Sequence, residues 1–299
     1  MAAPPPWTGF TFTSKLHSAP TPKLKSLKLS GPFVVVVTGA SRGIGAETAK
    51  TFARAGATGI IITATSLSNA LISTKKEIET ISPTIKVTAL DADVSDPESA
   101  LKILEAVKSE HSGRLDVLIN NAAIVSTNPT AYNGDNLAAI DTSQFVDPFT
   151  VNVIGKLATI KALMPLLLAT NGAKTIINMT SAASQFASNG ALGYNLSQLV
   201  TNRLTEAIAE SYGSRGVLAY GVHPGIVPTM PRPIGEPEGG KLFAVDDVGL
   251  CGPFLLWLVQ ERREWLSGRY VSANWDVDEL VSKKDVIVRE DKLKMRMVV

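Results

Sequence analysis

Short runs of apolar residues alternate along the chain with longer stretches in which apolar residues recur at helical spacing. The first run is Val34 to Val37, and four consecutive valines cannot alternate between a wet and a dry face. Such runs are typical of strands buried on both sides, as in a parallel sheet. Similar runs follow at residues 59–64, 85–90, 115–119, 175–179, 216–222 and 268–274. Helical segments are expected at 46–54, 69–81, 100–110, 145–170 and 245–261, and from Tyr194 onward. This alternation predicts an α/β protein with a doubly wound, seven-stranded parallel sheet in a single domain.

The first predicted strand runs directly into a glycine-rich turn. Gly39, Gly43 and Gly45 follow in the sequence T-G-A-S-R-G-I-G, and helix-forming residues continue from Ala46. Glycines let the backbone approach a pyrophosphate, whose charge is stabilised by the free N–H groups at the start of the next helix. The order strand, glycine turn, helix therefore predicts a dinucleotide site. A tight turn without a ligand would use the same glycines, but the flanking strand and helix favour the cofactor.

The end of the second predicted strand bears on the choice of dinucleotide. An NAD site usually has an acidic residue there to bond the ribose 2′-hydroxyl, whereas an NADP site needs room and positive charge for the 2′-phosphate. This chain has Ala64, Thr65 and Ser66 at that point. Arg42, inside the glycine turn, could reach the phosphate. We therefore expect NADP(H); the alternative is that Arg42 is an ordinary surface arginine.

Composition and charge argue against several other classes of protein. The formal net charge of +2 gives no case for nucleic acid, and 45% hydrophobic residues suffice for one sizeable core. The chain has three scattered histidines and a single cysteine, Cys251, so neither a disulfide framework nor a metal site is expected. No uninterrupted apolar run is long enough for a membrane span. A lone cysteine fits a reducing compartment, and we expect a cytoplasmic location.

The two ends of the chain differ in composition from the alternating pattern. Residues 1–32 are rich in Ser, Thr, Pro and Lys without an acidic residue, a bias also found in organelle transit peptides. Their prolines and lack of arginine oppose an amphipathic helix, so we favour an N-terminal arm lying along the domain. The chain is accordingly divided into an arm (1–32), a main domain (33–275) and a C-terminal tail (276–299).

Over residues 33–275 the chain resembles the short-chain dehydrogenase/reductase family. The resemblance rests on the glycine spacing T-G-x-x-x-G-x-G, on N-N-A-A at 120–123 and on P-G-x-V-x-T at 224–229. The family has N-N-A-G at the second motif, so Ala123 departs mildly from it. The resemblance implies a Rossmann-type fold. It also implies that NADP(H) is bound by Gly39, Ser41, Arg42, Gly43, Ile44, Gly45, Thr65, Asp93, Val94, Asn121, Ala122, Tyr194, Pro224, Gly225, Val227 and Thr229.

The third predicted strand ends in D-A-D-V at residues 91–94. In the family, the acid of such a D-V pair bonds the adenine, which corresponds to Asp93, and Val94 packs on the ring. Asp93 could instead cap the next helix. Ser95 or Asp96 is better placed for that, because each precedes Pro97, and proline suits the first helical position.

The resemblance also implies a catalytic set of four residues. Ser181 would polarise a substrate carbonyl, Tyr194 would transfer its proton, and Asn152 would hold a water in the proton relay. The family motif is Y-x-x-x-K, whereas this chain has Gln198 at the lysine position. Glutamine can keep a hydrogen bond to the nicotinamide ribose, but it lacks the charge that lowers the tyrosine pKa. No lysine stands beside Gln198, and the sequence fits both a natural and an engineered replacement.

These features predict an NADPH-dependent carbonyl reductase, similar to fungal ketoreductases, that acts on a small organic ketone in secondary metabolism. Gln198 leaves two alternatives open: a non-redox step such as dehydration, isomerisation or cyclisation, and a binding protein without catalysis. The loop 124–142 is expected to shape the substrate site, and the segment 228–240, rich in proline and glycine, to act as its lid. Family members commonly form dimers or tetramers, so we expect a homo-oligomer that binds neither nucleic acid nor membrane.

Overall fold

The computed structural model describes residues 5–125, 138, 141–186, 191–229 and 244–297. These residues form one seven-stranded sheet in the order β3-β2-β1-β4-β5-β6-β7, and every neighbouring pair of strands is parallel. The strands are β1 (Val34–Val37), β2 (Gly59–Ala64), β3 (Lys86–Asp91), β4 (Val117–Asn120), β5 (Thr175–Met179), β6 (Leu218–His223) and β7 (Arg269–Ser272). The predicted doubly wound parallel sheet is confirmed. The strand order reverses between β1 and β4, and such folds bind ligands at the carboxyl ends of the strands there.

Helices cover both faces of this sheet. They are α1 (Pro22–Lys25), α2 (Gly43–Ala55), α3 (Asn69–Ile81), α4 (Pro97–Glu110), α5 (Ser143–Phe149), α6 (Lys156–Ala169), α7 (Leu192–Tyr212), α8 (Cys251–Gln260), α9 (Val277–Ser282) and α10 (Lys284–Arg289). A π-helical segment, Thr150–Gly155, joins α5 to α6. Most predicted elements agree with these bounds to within a few residues.

The valine run of β1 contributes to both layers of the core. The side chains of Val35 and Val37 enter the apolar layer between the sheet and helices α2 and α8. Those of Val34 and Val36 enter the opposite layer, beneath α4, α6 and α7. All four are at most 5% exposed. Because full burial of such a side chain contributes about 1.5–3 kcal/mol, this strand anchors both layers and fixes the position of the glycine turn that follows it.

The single helix predicted for residues 145–170 is three consecutive segments instead. α5 ends at Phe149, the π-helical segment follows, and α6 begins at Lys156. A π turn holds one more residue than an α turn, so it changes which side chains face the sheet. Gly155 lets the segment approach the loop after β3, because a Cβ there would overlap the carbonyl oxygen of Val94. Asn152, within the π-helical segment, is fully buried.

The helix predicted for residues 245–261 begins only at Cys251. The carboxylate of Asp246 accepts hydrogen bonds from the backbone N of Ile226 at 2.6 Å and from Nδ2 of Asn274 at 3.0 Å. Asp247 accepts from the backbone N of Gly249 at 2.6 Å. These bonds hold the preceding residues in a turn that ties two loops together, which the apolar spacing alone did not reveal.

One helical stretch, Gln144–Ala169, is long and apolar enough to cross a membrane by length and composition, with a mean hydropathy of 1.5. Lys156 and Lys161 interrupt its apolar sequence, which is why no span was expected. Leu163 and Leu167 in this stretch are fully buried in the core. A core helix of a soluble protein meets the same criteria, so this stretch is weak support for a membrane location.

The described part of the arm crosses the C-terminal end of the main domain. The carbonyl of Gly9 accepts from Nε1 of Trp275 at 3.0 Å, and Leu16 forms an antiparallel bridge with Trp275. The backbone N of Ser14 donates to both carboxylate oxygens of Glu279 at 2.8 Å. The first part of the arm therefore contacts the end of β7 and helix α9. Its second part reaches α2 and α8, where the backbone N of Leu29 donates to the carbonyl oxygen of Ala55 at 2.8 Å and the carbonyl oxygen of Lys28 accepts from Nε2 of Gln260.

Candidate active site

A cleft of about 1000 Å³ opens at the carboxyl ends of β1, β4 and β5, where the strand order reverses. Most of the predicted site residues line it, namely Gly39, Ser41, Arg42, Gly43, Ile44, Gly45, Thr65, Asp93, Val94, Asn121, Ala122, Tyr194, Gln198, Pro224, Val227 and Thr229. The other three, Asn152, Ser181 and Gly225, do not line the cleft, but each adjoins or hydrogen-bonds residues near it. The structure thus brings together residues that are up to 190 positions apart, since Gly39 and Thr229 share one cleft.

The glycine turn is packed too tightly for side chains. A Cβ at Gly39, whose φ is +65°, would lie 2.8 Å from the Cα of Ala122. A Cβ at Gly45 would lie 2.5 Å from Nδ2 of Asn121. The turn therefore rests directly on the segment that follows β4. Helix α2 starts in this turn without a side-chain cap, so its first N–H groups are available to an anion such as a pyrophosphate.

Asn121 holds the glycine turn in place. Its Nδ2 donates to the carbonyl oxygens of Thr38 at 2.9 Å and Gly39 at 3.0 Å. In return, Oγ1 of Thr38 accepts from the backbone N of Asn121 and of Ala122, both at 3.0 Å. The amide nitrogen of Asn121 is thus committed to the backbone, which sets the geometry of the cleft floor.

The end of the cleft between the glycine turn and the residues after β2 carries a positive charge and hydroxyl groups. Arg42 and Thr65 are exposed at the cleft, and Ser68 caps α3 by accepting from the backbone N of Leu71. Arg42 is the one cationic side chain among the described residues that line the cleft. Residues 65–76, which follow β2, include no carboxylate that could pair with Arg42.

Asp93 lines the cleft but is engaged locally. Its Oδ1 accepts from the backbone N and the Oγ of Ser95, at 2.9 and 2.7 Å. Asp96, rather than Asp93, caps α4, because its carboxylate accepts from the backbone N of Glu98 before the helix continues from Pro97. Asp93 therefore keeps one carboxylate oxygen, Oδ2, without a hydrogen bond in the described part of the chain.

Ser181 and Tyr194 meet at the opposite end of the cleft, where the serine hydroxyl is near enough to the phenol to influence its ionisation. Burial raises the pKa of the Tyr194 phenol, and the Ser181 hydroxyl partly opposes this. Ser181 also caps a 3-10 turn, Ala182–Gln185, since its Oγ accepts from the backbone N of Ala183 at 3.1 Å. A serine hydroxyl and a phenol that point at the same place can polarise one carbonyl oxygen and protonate it.

Asn152 links this pair to the loop after β4. Its Oδ1 accepts from the backbone N of Ile124, and its Nδ2 donates to the carbonyl of Ile124 and to Oγ of Ser197, all at 2.9 Å. Ser197 in turn donates to the carbonyl oxygen of Tyr194 at 2.7 Å. Asn152 therefore supports α7 directly below Tyr194 and fixes Ile124, which lines the cleft.

Gln198 is 1% exposed, and neither atom of its side-chain amide has a hydrogen-bond partner among the described residues. The backbone carbonyl oxygen of Gln198, by contrast, accepts from Oγ1 of Thr180 at 3.2 Å. Leaving a buried polar group unpaired costs about 1–3 kcal/mol, so an amide placed in the cleft wall fits a polar ligand better than an empty apolar pocket. Together with the glycine turn and Arg42, this amide makes the site suitable for a dinucleotide.

The segment after β6 faces the glycine turn across the cleft. Gly225 has a φ of +94°, and a Cβ there would lie 2.9 Å from Oδ2 of Asp246. Oγ1 of Thr229 lies 3.4 Å from where a Cβ on Gly43 would be. Pro224 and Val227 therefore form a wall whose position depends on a glycine and on the Asp246 carboxylate.

The structure adds two residues that the sequence patterns did not assign to the site. Nδ1 of His223 accepts from the backbone N of Ala182 at 3.2 Å, and burial lowers the His223 pKa to about 4. Nζ of Lys156 donates to the carbonyl oxygen of Met179 at 2.6 Å, and burial lowers the Lys156 pKa to about 7. The sequence signal for Lys156 was a lysine one helical turn after Asn152 in an apolar stretch. A histidine at the end of a strand gave a weaker signal.

The two predicted substrate segments fall mostly outside the described residues. Of the loop 124–142, residues 126–137, 139 and 140 are not described, and of the lid 228–240 only 228 and 229 are. Within the described ranges no group of three or more His, Cys, Asp or Glu side chains is arranged to hold a metal ion.

The chain belongs to the short chain dehydrogenase family, whose sequence pattern matches residues 33–234. It is 37% identical over 309 residues to the short chain dehydrogenase pgmD of Aspergillus terreus, covering 99% of this chain and 97% of the relative. It is 38% identical over 297 residues to the short chain dehydrogenase mpl6 of Monascus purpureus, covering 98% and 99%. These matches support an oxidoreductase of the short-chain dehydrogenase/reductase class.

Solved structures agree with the fold. A candidate short-chain alcohol dehydrogenase from Sinorhizobium meliloti 1021 aligns with a TM-score of 0.70 at 26% identity, covering 83% of this chain and 96% of that one. A blue fluorescent protein from a metagenomic library, crystallised with NADPH, aligns with a TM-score of 0.69 at 25% identity, covering 81% and 96%.

Proposed function

We propose that this protein is an NADPH-dependent reductase of a small organic ketone, acting in the cytoplasm and in secondary metabolism. The observation that carries the proposal is the placement of the Ser181 hydroxyl beside the Tyr194 phenol, whose pKa it lowers, at one end of a cleft. The other end holds the glycine turn and Arg42. A hydroxyl pair without the turn would suggest a hydrolase or a binding pocket, and the turn without the pair would suggest only nucleotide binding.

In this reaction Ser181 donates a hydrogen bond to the substrate carbonyl and holds its oxygen beside Tyr194. NADPH, when bound, supplies the hydride that adds to the carbonyl carbon. Tyr194 gives its proton to the oxygen, so that the carbonyl becomes an alcohol and the phenol becomes a phenolate. Gln198 would bond a sugar hydroxyl of the cofactor through its free amide. Asn152 keeps α7 and Ile124 in position throughout, by the bonds described above.

Cofactor choice is proposed to depend on Arg42. A hydrogen bond to a charged group contributes about 1.5–3 kcal/mol, and tenfold in affinity corresponds to about 1.4 kcal/mol. Arg42→Ala should therefore weaken NADPH binding about 10–100-fold in a fluorescence titration and leave NADH binding nearly unchanged. Arg54→Ala, on the helix α2 that follows the turn and paired with Glu47, is the matched control. Binding of neither dinucleotide by the wild-type protein would contradict the cofactor proposal.

The catalytic roles are tested by removing the two hydroxyl groups. Tyr194→Phe should lower kcat for NADPH-dependent reduction in a panel of small ketones by about 10²–10⁴-fold, because general acid catalysis typically contributes that much. Ser181→Ala should lower it with little change in NADPH affinity. Tyr212→Phe, at the far end of α7, controls for loss of a tyrosine hydroxyl. Full activity of Tyr194→Phe would refute the assignment.

The neutral Gln198 favours a second candidate function, a non-redox step on the same scaffold or ligand binding without catalysis. The change Gln198→Lys separates the two candidates, because it adds a cation one helical turn from Tyr194. A rise in ketone reduction by an order of magnitude or more supports reductase chemistry. Unchanged or lower ketone reduction in the same panel favours the non-redox function.

We further propose that the protein forms a homo-oligomer through α6, α7 and the π-helical segment. Four apolar side chains on them are 36–57% exposed, namely Ile154, Leu157, Leu196 and Val200. Leu157→Glu should reduce the mass measured by light scattering to that of a monomer. Leu67→Glu, equally exposed outside these helices, should not. A monomeric wild-type protein would overturn this part of the proposal.

A further inference from the structure

Lys156 carries an ammonium group into the protein core. It is the first residue of α6, one helical turn after Asn152, and it is 2% exposed. Its Nζ donates to the carbonyl oxygen of Met179, the last residue of β5, at 2.6 Å. A single carbonyl is a poor substitute for the water that a buried ammonium loses, so the fold retains this side chain at a cost in stability.

The elements around Lys156 offer it no carboxylate. β4 and β5 carry no ionisable side chain. The charged residues of α4 are exposed, and so is Lys161 on α6 itself. On α7, Glu206 is paired with Arg203 and Arg296, and Tyr194 is the remaining titratable group at the cleft end. Asp93, in the loop packed against Gly155, is bonded to Ser95. Burial alone lowers the pKa of Lys156 to about 7.

The ammonium lies directly behind the catalytic end of the cleft. Met179 and Thr180 line the cleft, and Ser181 is the next residue along the chain. Thr180 is also bonded to the carbonyl of Gln198, on the helix that carries Tyr194. Met179, whose carbonyl oxygen accepts from Nζ, is two residues before Ser181, and consecutive Cα atoms are about 3.8 Å apart, so Nζ of Lys156 and the Ser181 hydroxyl are separated by a distance on the order of 10 Å.

The proposed reduction creates a negative charge at this end of the cleft when Tyr194 loses its proton. Gln198 brings an amide but no charge. Arg42, the one cation among the described lining residues, belongs to the glycine turn at the other end. Burial alone disfavours a phenolate, so a cation nearby would lower the barrier to proton transfer.

We propose that Lys156 is a positioning residue whose ammonium, from behind the cleft wall, stabilises the phenolate that Tyr194 becomes on protonating the substrate. This inference rests on the proposed reductase function. Lys156 touches neither substrate nor cofactor, and it exchanges no proton with them. It acts through the electrostatic potential at the Tyr194 oxygen.

A pH dependence follows, because Lys156 is charged below pH about 7 and neutral above it. At about 10 Å and an effective dielectric constant of about 20, one charge changes the equilibrium at the phenol about tenfold. The wild-type kcat/KM for ketone reduction should therefore fall about tenfold as the pH rises through 7. A wild-type profile that is flat between pH 5.5 and 8.5, values chosen to bracket that pKa by roughly 1.5 units each way, overturns the proposal without any variant.

Variants test whether this fall of kcat/KM near pH 7 is due to Lys156. Lys156→Met should give a flat profile at the low level that the wild-type enzyme reaches above pH 8, since methionine fills the space without charge. Lys156→Arg should give a flat profile at the high level, since arginine stays charged. Lys161→Met removes an exposed lysine on the same helix and should leave the fall of kcat/KM near pH 7 as in the wild type. If kcat/KM of Lys156→Met still falls as the pH rises through 7, the assignment to Lys156 is refuted.

A second measurement needs neither cofactor nor activity. The absorbance of tyrosinate is titrated in the free protein, and the curve of the Tyr194→Phe form of each variant is subtracted to isolate Tyr194. The pKa of Tyr194 should be about one unit lower in Lys156→Arg than in Lys156→Met, with the wild type close to the Met variant because its lysine is already neutral there. Equal values in the two variants overturn the inference even if ketone reduction is confirmed. A one-unit difference sustains it even if no ketone in the panel is reduced.

Discussion

Acidification tests the neutral, buried state of His223. This side chain is 2% exposed, its Nδ1 accepts from the backbone N of Ala182, and burial lowers its pKa from 6.5 to about 4. Protonation would turn Nδ1 into a donor that faces another donor. The unfolded chain binds this proton near pH 6.5 and the folded chain only near pH 4. Stability contributed by neutral His223 is therefore present above pH 6.5 and is lost as the pH falls from 6.5 to 4.

The magnitude follows from the two pKa values. Their difference of about 2.5 units corresponds to about 3 kcal/mol in total, of which about 2 kcal/mol is lost between pH 7 and pH 5. For a chain of this size, 1 kcal/mol corresponds to about 2–4 °C in Tm, so His223 alone should lower Tm by about 4–8 °C over that range.

The assay is a set of thermal melts at half-unit steps from pH 7.5 to 4.5, for the wild type and for His223→Asn. Asparagine places an oxygen near the Nδ1 position, so it can keep the bond from Ala182 without titrating. The Tm of His223→Asn should change less with pH than that of the wild type, and the two Tm values should converge at low pH. His111 is also buried with a lowered pKa, so some acid sensitivity should remain in both proteins. Parallel curves would show that His223 titrates normally and would refute this reasoning.

Three further predictions concern the same cleft and its surroundings. Asn152→Leu should lower the free energy of unfolding in urea by about 2–5 kcal/mol, because the N–H and C=O of Ile124 lose their partners; no change would show that water replaces them. Gly39→Ala should abolish NADPH binding in a fluorescence titration, because residue 39 has a left-handed backbone and its new Cβ would overlap Ala122. Gly213→Ala is the control, since Gly213 has open space around it, and this variant should bind NADPH normally. Cys251 should react with a thiol reagent no faster than the protein unfolds, because its thiol is 1% exposed and burial raises its pKa.

The sheet could be predicted from the sequence because six of its seven strands are buried on both faces, the exception being the partly exposed edge strand β3. Such strands read as uninterrupted apolar runs, and β1 and β2 have the bounds expected from those runs. Helix limits were less secure, since they depend on contacts that spacing does not record. The apolar spacing predicted a helix from residue 245, but the helix begins at Cys251, because the Asp246 carboxylate is hydrogen-bonded to Ile226 and Asn274.

Much of the cleft was predictable because its parts are motifs with fixed spacing that follow strand ends. Gly39 was found this way, and parallel strands bring such ends to one edge of the sheet. Tyr194, on helix α7, was assigned from the resemblance to the family. Lys156 and His223 were not found, because their partners Met179 and Ala182 are 23 and 41 residues away and are contacted through backbone atoms. Backbone partners leave no signature in the sequence. The π-helical segment was not predicted for a related reason, since Gly155 in it approaches the backbone of Val94, a contact that the sequence does not record.

The contact between the arm and α9 has a consequence for how the chain folds during synthesis. Ser14 and Glu279 are 265 residues apart, so this part of the arm leaves the ribosome long before its binding surface exists. At about 5–20 residues per second, the segment around Ser14 waits on the order of 10–50 s for this partner, whereas Leu29 bonds Ala55, only 26 residues later. The docking of the segment around Ser14, and with it the cover over Trp275, belongs to the last step of folding. In a chain that stops short of α9, the segment around Ser14 would therefore have no surface to dock on.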